Sequence, residues 1–397
     1  MSISKITRRD ALALGGGAAA AGLWLARPAI AQAKPIKVGV LLPYSGTYAQ
    51  LGEAITRAME LYVKQQGDAL AGRPITFVKL DDQSEPPKGP ELTTKLVQGE
   101  KVDVLIGTVH SGVAMAMSKI AREEGVPTII PNAGADILTR QLCAKNIFRS
   151  SFTNGQVGLA TGKAMADAGI KRVVTFTWKY AAGDESVGGF KDTFTTAGGT
   201  VIKDIAVPFP NVEFQSALAE IASLRPDAVY SFLAGGGALK FIKDYAAANL
   251  KQSIPLWGPG FLTDGVEQAA GEAGDGVMTV LHYADEVDFP ENKTFRAAFK
   301  DAYKTDADVY AVQGWDAMQM LDIGLKAVNG DVAKRDALNA AMGKAEFKSP
   351  RGPFKLSASH NPIQNFYLRE LKGGKNVLVK TAVPAFADSG TGCRLAS

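Results

Sequence analysis

The strongest constraint on the fold is an alternation of strand-like and helical segments that runs once and then begins again. Short β-rich runs and helices follow one another from Ile36 to Ile130, an order typical of βαβ units around a parallel sheet. After Phe148-Arg149-Ser150 the alternation restarts at Arg172 and continues to Tyr283. A single open sheet of about ten strands is unusual. We therefore predict an α/β chain with two Rossmann-like lobes, each built around its own parallel sheet.

The rest of the chain is assigned to these lobes by its patterning, and 397 residues suit two domains. A helical block with an apolar stripe from Tyr310 to Val328 is suited to covering a sheet that is already formed. A strand pair with its turn at Lys372-Gly373-Gly374-Lys375 follows. We expect the chain to cross between lobes near residues 151, 284 and 346. The predicted division is lobe 1 at 34–151 and 284–345, lobe 2 at 152–283 and 346–380, and a C-terminal tail at 381–397.

The N-terminus has the features of an export signal. Thr7-Arg8-Arg9-Asp10-Ala11-Leu12 is a twin-arginine pattern, and an Ala/Gly/Leu stretch from Ala11 to Ala26 follows it. That stretch is shorter than the about 20 apolar residues that span a bilayer. Small residues at Ala29-Ile30-Ala31 and Ala31-Gln32-Ala33 offer cleavage sites. We predict a cleavable signal peptide over residues 1–33, the twin-arginine route and a periplasmic mature protein.

Composition and motifs argue against several classes of function. The net charge is +4, but residues 1–31 carry four basic residues against one acidic residue, so the mature chain is close to neutral. No clustered basic face for nucleic acid is indicated. Asp184–Gly188 lacks the first glycine of a nucleophile elbow, and Gly158–Lys163 lacks the spacing of a phosphate-binding loop. The three histidines are isolated. We predict no catalysis, no cofactor, no metal and no nucleic-acid partner.

The chain has two cysteines, Cys143 and Cys393. In an oxidising compartment such a pair favours a disulfide, which would tie the C-terminal tail to lobe 1. Two unrelated free thiols are the alternative.

Candidate ligand-binding residues follow the strands of both lobes, because ligands of open α/β sheets sit beyond the carboxyl ends of the strands. Small and hydroxyl residues there allow backbone N–H groups at helix starts to approach an anion. Ordinary helix starts are the alternative for any one loop. In lobe 1 the candidates are Tyr48, Gln50, Leu51, His110, Ser111, Asn132, Ala133 and Gly134. In lobe 2 they are Tyr180, Gly235, Gly260 and Phe261, where aromatic rings adjoin glycines.

The order and spacing of these segments resemble the periplasmic substrate-binding proteins of the branched-chain amino acid type of ABC transporter. The resemblance extends from Ile36 to Val379 and includes Trp257-Gly258-Pro259 and Tyr310 through Ala317. It implies a type I fold with a three-segment hinge, a monomer that closes on its ligand and docks on an inner-membrane ABC permease. It also implies that Ser111 and the backbone near Ala133 and Gly134 hold a ligand carboxylate. By the same resemblance, Tyr180 and Tyr310 cover the ligand and Leu51 lies in the side-chain pocket.

Two departures from the family pattern bear on the ligand. Gly260 occupies the position at which amino-acid binders carry the acidic residue that holds the α-ammonium, and Gly134 replaces a hydroxyl residue. A buried ammonium without a carboxylate partner would be destabilised by several kcal/mol. We therefore predict a small carboxylate without an amine. The segments Val109–Val113 and Ala234–Ala238 resemble members that bind benzoates or phenylpropenoates.

Other ligands and other functions remain open from the sequence alone. A branched-chain or other apolar amino acid is the first alternative ligand, followed by short amides, urea-like compounds and aliphatic acids. A periplasmic ligand sensor on the same fold, or an enzyme of acyl or amide chemistry, are the alternative functions.

Overall fold

A computed structural model describes residues 34–395, so the predicted signal peptide at 1–33 lies outside the described residues. Fifteen strands are present in the described chain, thirteen of them in two main sheets and two in a small hairpin. The strands are β1 Ile36–Leu42, β2 Ala69–Leu70, β3 Arg73–Asp81, β4 Val104–Gly107, β5 Thr128–Ile130, β6 Ile147–Arg149, β7 Arg172–Lys179, β8 Thr200–Pro208, β9 Ala228–Phe232, β10 Leu256–Pro259, β11 Met278–Leu281, β12 Glu346–Ser349, β13 Gly352–Lys355, β14 Gln364–Lys372 and β15 Lys375–Phe386.

Eleven α-helices connect or cover these strands within residues 34–395. They are α1 Ala49–Gln65, α2 Lys88–Thr94, α3 Ser111–Glu123, α4 Asn154–Asp167, α5 Ala181–Thr196, α6 Gln215–Leu224, α7 Gly235–Ala247, α8 Glu267–Ala270, α9 Pro290–Tyr303, α10 Val309–Ala327 and α11 Arg335–Gly343. A π-helical turn extends α2 over Lys95–Gly99, and a 3₁₀ turn follows β5 at Asp136–Thr139.

The strands form two separate main sheets, as the restart in the sequence predicts. The first has the order β2-β3-β1-β4-β5-β6 and the second the order β15-β14-β11-β10-β9-β7-β8. In the first sheet the strands are parallel except that β2 pairs antiparallel with β3 at one edge. In the second sheet they are parallel except that β14 pairs antiparallel with both β11 and β15 at one edge. The prediction of a two-lobed α/β fold is confirmed. The antiparallel edges are a refinement, and β14 and β15 meet at the predicted turn, with Lys372 opposite Lys375.

Close helix contacts in both lobes depend on glycines, and this explains one of the near-motifs in the sequence. Gly158 and Gly162 lie within α4, where an added Cβ would come 2.0 Å from the Ser186 carbonyl oxygen and 2.3 Å from the Thr193 hydroxyl of α5, respectively. They are packing residues and not part of a phosphate-binding loop. On the first lobe, Gly314 of α10 allows an equally close contact with the backbone of Ile55 in α1.

Buried Arg351 ties together the segments through which the chain passes between the sheets. Its guanidinium donates to Asp316 of α10 at 2.9 Å and to the Gln364 side chain at 2.6 Å. It also donates to the carbonyl oxygens of Ser150 and Ser151. Removing one partner of a buried ion pair is strongly destabilising. The Arg351–Asp316 pair therefore holds the connecting segments in one geometry.

The C-terminal tail is anchored to the first lobe. Cys143 and Cys393 form a disulfide, as the sequence predicts. The Arg140 guanidinium also pairs with Asp388 at 2.8 Å, and Asp388 accepts a hydrogen bond from the Thr153 hydroxyl at the start of α4. Within residues 34–395, no helix is both long enough and apolar enough to cross a membrane.

Candidate functional site

The carboxyl ends of the strands of both sheets face a cavity between the lobes. The empty space within it, counted together with its opening to solvent, is about 300 Å³. Its walls combine aromatic rings with a few polar groups. They are formed by Tyr48, Leu51, Val109, Ser111, Asn132, Gly134, Phe152, Asn154, Tyr180, Ala182, Phe232, Ala234, Phe261 and Tyr310.

The structure brings together eight of the thirteen residues that the sequence proposes for ligand binding. The eight that line the cavity are Tyr48, Leu51, Ser111, Asn132, Gly134, Tyr180, Phe261 and Tyr310. The other five do not line it; they are Gln50, His110, Ala133, Gly235 and Gly260.

Two of these five support the wall from behind. The His110 Nδ1 atom accepts a hydrogen bond from the Gly112 N–H at the start of α3, and its ring stacks on Tyr180 with centroids 4.7 Å apart. Burial lowers the pKa of His110 to about 4, so the imidazole is neutral. Ala133 donates its N–H to the Thr108 carbonyl oxygen, and its own carbonyl oxygen accepts from Arg149. His110 and Ala133 therefore shape the cavity indirectly, through the residues that they contact.

The remaining three lie at its margins. The exposed Gln50 borders a separate cleft outside the cavity, which shares Leu51 and Tyr310 with it. Gly235 has a φ of +56°, and a Cβ there would lie 2.6 Å from the Thr47 carbonyl oxygen of the opposite lobe. A Cβ on Gly260 would meet the Arg369 guanidinium at 2.1 Å. A side chain at position 260 would therefore be directed towards β14 and away from the cavity.

One side of the cavity is aromatic. The Phe261 ring lies with its centroid 4.5 Å from Phe152, 6.3 Å from Phe232 and 6.2 Å from Tyr310. Rings at these separations form the offset and edge-to-face contacts that aromatic groups prefer. The surface suits a flat, apolar ligand.

A polar corner of the cavity, next to Phe152, carries no charged side chain. Ser111 is the first residue of α3, where the helix dipole favours an anion, and its hydroxyl accepts a hydrogen bond from Asn154 at 3.3 Å. The buried Gly134 N–H has no hydrogen-bond acceptor among residues 34–395. Because an unpaired buried N–H is rare, it is available to a ligand oxygen. No acidic side chain of the described chain lines the cavity to pair with an ammonium group.

Asn154 joins this corner to a buried glutamate that the sequence reading missed. Its amide donates to Ser111 and, at 2.7 Å, to the Glu185 carboxylate, which also accepts the Asp136 N–H at 3.0 Å. Burial, followed by repulsion from Asp136, raises the pKa of Glu185 to about 7. A capping box of Thr153 and Gln156 places Asn154 at the start of α4. That Thr-x-x-Gln pattern is the one sequence signal that could have drawn attention to Asn154.

An aromatic cluster closes the cavity between the lobes. The hydroxyls of Tyr48 and Tyr180 form a hydrogen bond of 2.9 Å. Phe209, also missed by the sequence reading, packs against both of these rings and against His110, with centroids 4.9–5.4 Å apart. The two lobes are thus in direct contact over the site.

Comparison with known proteins agrees with this architecture. Residues 35–376 match the periplasmic binding proteins. The chain belongs to that family. The resemblance predicted from the sequence is therefore confirmed for nearly the whole described chain.

Three relatives of this periplasmic binding protein bear on its ligand. Leu/Ile/Val-binding protein homolog 6 of Brucella melitensis is 31% identical over 348 residues, covering 86% of this chain and 88% of that protein. A solute-binding protein of an ABC transporter from R. palustris, solved in complex with benzoate, is 70% identical, with a TM-score of 0.90 over 91% of this chain and 99% of that chain. A solute-binding protein from Rhodopseudomonas palustris BisB5, in complex with 3,4-dihydroxybenzoic acid, is 33% identical, with a TM-score of 0.85 over 90% and 99%.

Proposed function

We propose that this protein is the solute-binding component of an ABC importer and that it binds an aromatic carboxylate of the benzoate class. The observation that carries the proposal is the asymmetry of the cavity. Aromatic rings including Phe152, Phe232 and Phe261 form one side, and the Gly134 N–H and Ser111 form a polar corner without a charged side chain. A benzoate would place its ring against the first and its carboxylate at the second.

The lack of an acidic side chain in the cavity wall argues against an amino acid. An α-ammonium group would be buried with no carboxylate in direct contact, at a cost of several kcal/mol. Benzoate has no such group, and its carboxylate needs only hydrogen-bond donors at the polar part of the wall. The 70% identity to a benzoate-bound solute-binding protein supports the same choice.

Calorimetric titration and thermal-shift measurements test the proposal directly. Benzoate and hydroxybenzoates should raise the melting temperature, because a ligand bound only to the folded state stabilises it by mass action. Leucine, isoleucine and valine should have no effect at the same concentrations. Stabilisation by these amino acids without any response to benzoates would instead support the branched-chain function named for the Brucella relative.

The proposal also covers the export of the protein and its partner in the inner membrane. Residues 1–33 are proposed to act as a cleavable twin-arginine signal, and the mature monomer to deliver its ligand to an inner-membrane permease. Replacing Arg8 and Arg9 together by lysine should leave uncleaved precursor in the cytoplasm, as shown by immunoblotting of cell fractions. Normal export of that variant would favour the general secretory route.

A further inference from the structure

Arg149 lies directly behind the polar corner of the cavity. It is the last residue of β6, is fully buried, and does not line the cavity. Its guanidinium donates to the carbonyl oxygens of Ala133 and of Ala135, and more weakly to the Thr139 hydroxyl at 3.4 Å. These acceptors, all in the described part of the chain, are two carbonyl oxygens and a hydroxyl, and none is a carboxylate. A fully buried arginine without a directly paired acid is uncommon.

The geometry of the peptide bond carries the effect of Arg149 to the cavity side. In a trans peptide the C=O and the following N–H point in opposite directions. The carbonyls of Ala133 and Ala135 face Arg149, so the N–H groups of Gly134 and Asp136 face away from it. The Asp136 N–H does meet an acidic side chain there, since it donates to the Glu185 carboxyl group at 3.0 Å.

Gly134 is the counterpart without an acceptor. Its N–H has no partner within residues 34–395, and Gly134 lines the cavity. The two peptides therefore share the guanidinium on the carbonyl side, and the amide of the second already donates to a carboxyl oxygen. Buried N–H groups in native proteins are nearly always paired, so the free one indicates the position of a ligand oxygen.

The charge of Arg149 is not cancelled by its neighbours in direct contact. Burial lowers the pKa of Arg149 to about 10, which leaves it protonated at neutral pH. Asp136 and Asp388 act on Arg149 through their charge, and both pair with Arg140, each at 2.8 Å. Arg149 is therefore the cation bonded directly to the turn that presents Gly134.

We propose that Arg149 is the positioning residue of the carboxylate site. It fixes the orientation of the turn at residues 133–136 and polarises the peptide whose N–H receives the ligand carboxylate. This inference rests on the proposed function, because it needs an anionic ligand at Gly134 and Ser111. It adds a consequence: selection of a carboxylate over a neutral group of the same shape depends on a residue that never touches the ligand.

Benzoate and its neutral amide, benzamide, separate this role from a structural one. The dissociation constant of benzamide divided by that of benzoate, measured by calorimetry, gives the preference for the carboxylate. This ratio should fall by about tenfold in Arg149→Met, because hydrogen bonds to charged groups are stronger than neutral ones. Arg149→Lys keeps the charge but cannot span two carbonyls, and should lie between wild type and Arg149→Met. Arg369→Met is the matched control, since Arg369 is equally buried, pairs with Asp264 and does not line the cavity. The control should change stability and leave the ratio unaltered.

The outcomes separate the inference from the function on which it rests. If wild type binds neither benzoate nor hydroxybenzoates, the proposed function fails. If wild type binds benzoate but Arg149→Met weakens both ligands equally, Arg149 has only a structural role and the inference is wrong.

A measurement on the wild-type protein decides the matter even if the variants do not fold. Pairwise labelling of Ala carbonyl carbon and Gly nitrogen selects a small set of amide signals that includes Gly134. Benzoate should move the Gly134 amide proton downfield, as expected for a new hydrogen bond to a carboxylate. An unchanged Gly134 signal at saturating benzoate would overturn the proposal.

Discussion

The hydroxyl groups of Tyr48 and Tyr180 lie 2.9 Å apart and form a hydrogen bond from one lobe to the other. Tyr48 immediately precedes α1, whereas Tyr180 precedes α5 of the second lobe. Both rings line the cavity, and burial raises the pKa of both phenols above the usual range. A contact of this kind exists only when the lobes are together, so it stabilises the closed arrangement selectively.

Single and double substitutions of this pair should be non-additive. Tyr48→Phe or Tyr180→Phe leaves one buried hydroxyl without its partner, and each should weaken benzoate binding by about three- to tenfold. The double variant removes both hydroxyls, so its loss should be smaller than the product of the single losses. Calorimetric titration of the four proteins measures the coupling. Fully multiplicative losses would mean that each hydroxyl acts independently on the ligand.

The sequence predicts best those features that depend on local patterning. The restart after Ser150 predicts two sheets. The segments after the strands contain most of the cavity residues, because parallel strands end at the same edge. Tyr48, Ser111 and Gly134 were found in this way. Each follows a strand at a helix start or turn, where backbone and side chain are both accessible.

Residues that act through contacts distant in sequence were not predicted. The sequence pattern indicates only that Arg149 ends a strand. The fold is needed to place its guanidinium on the turn at residues 133–136. Asn154 and Glu185 are 31 residues apart and meet because α4 and α5 pack closely through glycines. Gly260 shows the converse, since the family pattern marks the position but its Cβ direction leads to Arg369. Side-chain direction after a strand is set by packing that local sequence does not specify.

Closure should be sensitive to a single methyl group at Gly235. An alanine there would have to adopt a left-handed φ and would place its Cβ 2.6 Å from the Thr47 carbonyl oxygen. The contact joins the lobes, so Gly235→Ala should lower benzoate affinity by about tenfold or more, with backbone strain costing a further ~1–2 kcal/mol of stability.

Gly236 provides a matched control for this substitution. It is the next residue of α7, and a Cβ there would meet nothing within 4 Å. Gly236→Ala should keep wild-type affinity. Small-angle scattering should show that benzoate contracts wild type and Gly236→Ala but not Gly235→Ala. Equal behaviour of the two variants would rule out Gly235 as a closure contact.

Benzoate affinity should depend on pH through Glu185. Burial and then repulsion from Asp136 raise its pKa from 4.5 to about 7, with hydrogen bonds from Asn154 and the Asp136 N–H and the charge of Arg149 acting in the opposite direction. The folded state therefore binds more protons than the unfolded state between these values. The contribution of this group to stability is complete below pH 4.5 and is lost as the pH rises through about 7.

An anionic ligand near Glu185 should raise the pKa of Glu185 further. Binding of the ligand should therefore be accompanied by uptake of a proton by the protein. Affinity should fall by about three- to tenfold between pH 6 and pH 8. Both hydrogen bonds to Glu185 end on Oε2, so Oε1 can carry the proton without breaking them. Glu185→Gln keeps an acceptor of the same shape and should flatten the pH profile. Calorimetry in buffers of different ionisation enthalpy measures the proton uptake directly, and an unchanged slope in Glu185→Gln would assign the linkage to another group.

The disulfide should stabilise the fold without affecting the ligand site. Cys143 and Cys393 are 250 residues apart, neither lines the cavity, and the tail they anchor is also held by the Arg140–Asp388 ion pair. Replacing both cysteines by serine should lower the free energy of unfolding by about 2–5 kcal/mol. Benzoate affinity should stay within about twofold of wild type, a change of less than ~0.5 kcal/mol. Urea unfolding with and without a reductant provides the control, because the reductant should destabilise wild type and leave the double variant unchanged. A large loss of affinity in the double variant would show that the tail contributes to binding through the hydrogen bond between Asp388 and Thr153.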